Sequence, residues 1–235
     1  APSAPTSSVP INLSSCKTVL DNANGSTVEL ARVRESNQLS GNFTAPPKGT
    51  YSYGYVELLP IIEVKSITTF ASSMQNNNGS SSGTKCWSLG GWLYALNTGT
   101  DVLVQCGNSV VGTPDFTKTY INTLNGAVGM VNALTFPANP STGRSVTAYL
   151  LDASGKLATG VANGLGNITK IAAYFPITTL DIDQMKPEKV VSNMNIDFGL
   201  TGGMTIGYNS GSTTNVNNFG PGPFIIDFNT SSIFF

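Results

Sequence analysis

Ser145-Val-Thr-Ala-Tyr-Leu-Leu-Asp-Ala-Ser-Gly-Lys-Leu-Ala-Thr-Gly-Val161 sets the structural class. Two short runs, 145–151 and 156–161, flank Asp152-Ala-Ser-Gly155, and Gly155 sits where a tight hairpin turn needs positive φ. The same period of two recurs in Thr27-Val-Glu-Leu-Ala-Arg-Val33 and in Tyr51-Ser-Tyr-Gly-Tyr55, which runs into Val56-Glu-Leu-Leu-Pro60. Residues 87–96 and 101–105 bracket an Asn-Thr-Gly turn and read as a second hairpin, and further strands are expected at 167–175, 193–198, 204–208 and 224–228. Only 116–132 offers a short helix, weakened by its glycines. Gln75–Gly83 and Ser210–Asn218, small and polar throughout, read as exposed loops. The expectation is an all-β chain, an antiparallel β-sandwich of jelly-roll-like type, with residues 1–12 as linker or shaft junction and 13–235 as one domain.

Composition narrows the chemistry. The 235 residues carry 12 Lys and Arg against 13 Asp and Glu, a net charge of −1, so no electrostatic footprint for nucleic acid or an anionic membrane is present. No stretch of about 18 apolar residues occurs, and membrane insertion is not expected. Histidine is absent, which removes Ser-His-Asp and Cys-His activation, His-ligated zinc and the usual base near neutral pH. Neither a G-x-G-x-x-G nor a P-loop follows a strand into a helix, so no cofactor is expected. The opening Ala1-Pro-Ser-Ala-Pro-Thr-Ser-Ser-Val-Pro10 has linker chemistry, extended and unpaired, and suggests a processed protein or a domain cut from a longer one. The strongly apolar Phe224-Ile-Ile-Asp-Phe228 and Ile233-Phe-Phe235 suggest a last strand tucked into the body or an interface.

The cysteines Cys16, Cys86 and Cys106 show no C-x-x-C spacing, which argues against a thiolate metal site. A turn centred on Thr98 and Gly99 would set Cys106 opposite Gly91, away from Cys86. Free thiols are therefore expected, with a Cys86–Cys106 bridge as the alternative. Sequons begin at Asn12, Asn24, Asn42, Asn78, Asn167 and Asn229, but roughly five arise from such a composition by chance, so they do not indicate secretion.

Four constellations could carry chemistry. Ser14-Ser-Cys-Lys17 matches S-x-x-K, a serine nucleophile with a lysine base, but the supporting S-D-N and K-T-G motifs are missing. Asp181 and Asp183 share a strand face, and Glu57 and Glu63 bound one apolar segment; such pairs could hydrolyse a glycoside or hold calcium, or simply charge a strand edge against aggregation. Tyr51, Tyr53 and Tyr55 share one strand face, with Trp87 and Trp92 near in sequence. Aromatic sets of this kind stack on sugars and dominate interfaces, or fill a sandwich core.

Cys16, Asp21, Thr27–Val33 and Asn37-Gln-Leu-Ser-Gly-Asn42 together resemble the opening strands of adenovirus fibre heads. Gly126-Ala-Val-Gly-Met-Val-Asn-Ala-Leu-Thr-Phe-Pro137, followed by Val146-Thr-Ala-Tyr-Leu-Leu151 and a glycine hairpin, is similar to the segment those heads carry before a later hairpin. The stretch 201–223 has no counterpart in that pattern. The resemblance implies an antiparallel sandwich that trimerises and attaches a virion to a host-cell receptor, protein or glycan. Its alternatives are a capsid or pilus-like subunit assembling by strand exchange and a secreted carbohydrate-active β-protein.

Overall fold

In a computed structural model the described residues are 3–22, 24, 25, 27, 28, 37–93, 102–126, 129–136, 145–161, 164–182, 191–199, 204–221 and 225–232. They form an all-β, sandwich-like fold without a helix, in which most strand pairs are antiparallel. A four-stranded sheet is built from β3 (Gly49–Leu58), β11 (Ala133–Phe136), β12 (Val146–Leu151) and β13 (Lys170–Ile182), in the order β11-β12-β13-β3. A five-stranded sheet is built from β5 (Ile67–Asn76), β6 (Ser82–Ser88), β7 (Val104–Gly107), β15 (Met204–Tyr208) and β16 (Asn215–Pro221), in the order β15-β16-β5-β6-β7, with β16 and β5 parallel. Four antiparallel pairs complete the described strands. They join β1 (Leu20–Asp21) to β2 (Asn42–Phe43), β4 (Ile61–Val64) to β8 (Thr117–Tyr120), β9 (Leu124–Gly126) to β10 (Gly129–Val131), and β14 (Val191–Gly199) to β17 (Ile225–Ser232).

Alternation decides which side chains meet. In the four-stranded sheet Ala148, Leu150 and Ala173 point to one side, where Leu124, Ala158 and Ile168 cover them. Tyr149, Leu151 and Ala172 point to the other, beneath Ile11 and Leu157. A separate core lies on the five-stranded sheet, made of Met74, Cys86, Val104, Cys106, Val216 and Phe219.

The hairpin at 145–161 turns as expected: Gly155 has φ 81° and its amide donates to the Asp152 carbonyl at 3.0 Å. The return arm does not continue as a strand but touches β12 through a Leu151–Leu157 bridge. The Asp152 carboxylate accepts from the Ser154 amide at 2.8 Å, the Ser154 hydroxyl at 2.8 Å and the Lys156 amide at 3.0 Å. The Lys156 amide, and after it the Ser154 side chain, hold this carboxyl below its usual range. Stability from a lowered carboxyl pKa is present above the unfolded-state value and lost as pH falls through the folded one. Urea midpoints of wild type and Asp152→Ala should therefore differ at pH 7 and converge in acid; an equal gap at pH 7 and pH 3 would contradict this.

Several expectations need correction. The residues described within 116–132 form β8, β9 and β10 rather than a helix; β8 pairs with β4 over Ile61–Tyr120 to Val64–Thr117, so tertiary pairing overrides a weak helical pattern. The loop expected at 75–83 shrinks to a tight turn, because β5 runs to Asn76 and β6 starts at Ser82. Asn76 is buried there, with its side chain bonded to Ser80 Oγ and the Ser81 amide. The loop expected at 210–218 ends in β16. Asn217 is an extra residue in the β15–β16 register, which turns both Val216 and Phe219 inward, three positions apart.

The thiols expected at Cys86 and Cys106 are a disulfide, with Cα atoms 4.1 Å apart. Strand register accounts for the difference. β6 ends at Ser88 and β7 starts at Val104, and their register sets Cys86 directly opposite Cys106; the predicted turn at 97–99 lies outside the described residues. Cys16 is free. The strands at 167–175, 193–198, 204–208 and 224–228 appear as β13, β14, β15 and β17. The strand expected at 27–33 falls mainly outside the described residues.

The proline-rich start is neither extended nor unpaired: an antiparallel Ser3–Asn12 bridge and a bond from the Thr6 amide to the Val9 carbonyl at 2.8 Å fold it back on itself. The Leu157 amide donates to the Thr6 carbonyl at 3.0 Å, and the Ile11 amide to the Gly155 carbonyl at 2.9 Å. This lays the segment along the hairpin, with Pro5 buried and Ile11 against the tyrosine side of the sheet.

Candidate functional site

The period of two along β3 sends Tyr51, Tyr53, Tyr55 and Glu57 to one face. Register extends that face across the sheet. Tyr55 lies opposite Tyr174 on β13, Tyr174 opposite Thr147 on β12, and Thr147 opposite Thr135 on β11, a row crossing all four strands. The next row holds Glu57, Ala172 and Tyr149. Tyr53 and Tyr174 have ring centroids 6.3 Å apart at 60°, and Tyr149 and Tyr174 6.1 Å apart at 21°. Such tilted and offset contacts suit the aromatic quadrupole.

Polar groups fix this surface. The Tyr51 hydroxyl donates to the Pro47 carbonyl, and the Tyr55 hydroxyl to Glu57 Oε1, each at 2.8 Å. Lys170 Nζ reaches Glu57 Oε2 at 2.7 Å, and the Thr135 and Thr147 hydroxyls are 3.0 Å apart. Burial, then the bond to Glu57, raises the Tyr55 phenol well above its ordinary range. Burial, then Tyr174, raises Tyr149 to about 12. Both therefore stay neutral donors at physiological pH. Ile11 and Leu157 cover the Tyr149 end of these ring contacts, whereas Tyr53 is 46% exposed. What remains open is a rigid patch of phenol rings beside threonine hydroxyls and an ion pair.

The tryptophans expected beside these tyrosines lie elsewhere. Trp87 is 1% exposed and packs against Gly107, where an added Cβ would come within 3.3 Å of its ring, so it cannot stack on a ligand. Trp92 is held on β8 by two backbone bonds of 2.8 Å, Leu93 amide to Lys118 carbonyl and Lys118 amide to Gly91 carbonyl. Its ring stacks on Tyr120 with centroids 4.6 Å apart and planes 22° apart. Five aromatics close in sequence thus divide among two surfaces and a core. Tyr149 and Tyr174, the partners that sequence reading missed, stand in strands it placed correctly; only register joins them.

The other candidates do not assemble a reaction centre. Glu57 pairs with Lys170 and Glu63 with Lys118 on different sheets. Asp181 lies opposite Thr50 in β13, and Asp183 is outside the described residues. Ser14 and Lys17 sit at an exposed turn, where the Ser14 amide donates to Asn12 Oδ1. Among the described residues no group of three His, Cys, Asp or Glu converges on a metal position. An open depression of about 360 Å3, lined by Lys65, Ser66, Ile67, Thr113 and Pro114, is mostly apolar. Compared with known proteins, the chain matches no family model, no curated protein and no solved structure.

Proposed function

We propose that this chain is a non-enzymatic surface attachment domain, of the kind carried on viral fibres or spikes, which binds a host-cell receptor through the tyrosine face of the four-stranded sheet. The observation that carries this reading is the diagonal chain of ring contacts Tyr53–Tyr174–Tyr149, open at Tyr53. Tyrosine gives a large contact area at low cost in side-chain entropy, and residues of this type dominate binding energy in interfaces. The Cys86–Cys106 disulfide supports an extracellular or virion-surface setting, since such bonds persist in oxidising compartments. A homotrimer is the assembly the reading expects, presenting several copies of the face at once.

The test combines solution mass by light scattering with binding of the labelled protein to cells and to glycan and receptor arrays. A concentration-independent trimer whose binding falls at least tenfold in Tyr53→Ala, with unchanged melting, is the expected result. A monomer that binds neither cells nor arrays would overturn the proposal. A structural subunit assembling by strand exchange is the second reading, favoured by the N-terminal segment laid along the 152–157 hairpin. It predicts that deleting residues 1–12 abolishes assembly.

A further inference from the structure

The tyrosine face leaves Trp92 unused, together with the outer face of the β4–β8 pair. Register sets Ile61 opposite Tyr120 and Glu63 opposite Lys118 on that face, while Thr117 and Thr119, of opposite parity, are buried. Beside the Trp92–Tyr120 stack, Lys118 Nζ lies 5.5 Å from the Trp92 ring centroid and 3.5 Å from Glu63 Oε1. The lysine and glutamate side chains keep 43% and 23% of their surface exposed.

We propose that Trp92, Tyr120, Lys118 and Glu63 form a binding site for neutral pyranose sugars. The electron-rich face of an indole or phenol ring attracts the polarised C–H groups on one side of a pyranose, and the flat contact expels water from both. A vicinal diol presents a donor and an acceptor side by side. Lys118 offers only donors and Glu63 only acceptors, a short distance apart, so the pair complements a diol. The pair is partly exposed and 3.5 Å apart, so its mutual attraction is modest and two sugar hydroxyls can replace it. Its charges cancel, which selects against a charged saccharide. The strip continues: Lys65 Nζ sits 4.4 Å from the Phe116 ring centroid. Phe116 immediately precedes β8 and, in extended chain, lies about 14 Å from Tyr120, room for a short oligosaccharide. This site lies on a different sheet from the tyrosine row and stands or falls apart from it.

The test uses saturation-transfer NMR with methyl glucoside, galactoside, mannoside and N-acetylglucosaminide, their disaccharides, and glucuronic acid as the charged control. Saturable binding of at least one neutral sugar is expected, tighter for its disaccharide. It should weaken at least tenfold in Trp92→Ala and in Lys118→Met and stay unchanged in Tyr53→Ala. Should Trp92→Ala fail to fold, Lys118→Met and Glu63→Gln carry the test, since they change side-chain ends of similar size at a partly exposed pair. Absence of binding by every neutral sugar, binding that survives both Lys118→Met and Glu63→Gln, or preference for glucuronic acid overturns the proposal. Loss of binding in Tyr53→Ala alone would assign the sugar to the tyrosine face instead.

Discussion

Replacing Cys86 and Cys106 together by alanine is expected to lower the unfolding free energy by about 3 kcal/mol. The bond closes a loop with a sequence separation of 20, and the chain-entropy model assigns roughly that cost to opening one of this size. For a chain of this length the melting temperature should fall by roughly 6–12 °C. Both residues are buried in the core of the five-stranded sheet, so losing their packing adds to the effect. Differential scanning calorimetry of the double variant against oxidised wild type checks this. A shift under about 2 °C would mean that the β6–β7 register holds without its covalent tie.

Phe219→Ala should cost more, about 3–5 kcal/mol. Phe219 is 0% exposed and packs with Val216, Val104 and the disulfide. Removing its ring leaves a void in the middle of the sheet, which the parallel pairing of β16 with β5 restrains from collapsing. Phe219→Leu, which keeps much of the volume, should lose well under half as much. Chemical denaturation of both variants gives the comparison. A loss below about 1 kcal/mol for the alanine variant would show that 215–221 behaves as the exposed loop its composition suggests.

That segment shows where sequence reading ends. Val216 and Phe219 are three apart, which fits neither the strand period nor a clean helical face. One extra residue in the ladder, Asn217, creates the spacing, and a bulge has no compositional mark among asparagines. Strands with plain alternation, such as Gly49–Leu58 and Val146–Leu151, were legible. So was the turn at Gly155, because one glycine and a flanking Asp-x-Ser settle its geometry. The disulfide was hidden by the reverse error: a good turn signal at Asn97-Thr-Gly99 suggested a register that the chain does not use.

The candidate site was half legible for the same reason. Side-by-side tyrosines on β3 follow from local period, but Tyr174 and Thr147 join them through pairing between distant segments. Trp87 and Trp92 share a short stretch of sequence and no environment: Trp87 belongs to β6 in the five-stranded sheet, Trp92 to the edge of β8. Composition names the aromatic groups, and topology distributes them.

The parallel pairing of β16 with β5 also sets a schedule for synthesis. Gln75 leaves the ribosome before its partner Asn215, which follows roughly 140 residues later, about 7–28 s at ordinary elongation rates. Through that interval β5 can pair with β6 and the disulfide can close, yet the other edge of β5 stays bare, its core face lacking Val216 and Phe219. The nascent chain is thus exposed to unwanted strand pairing throughout that interval, and slower elongation lengthens the exposure.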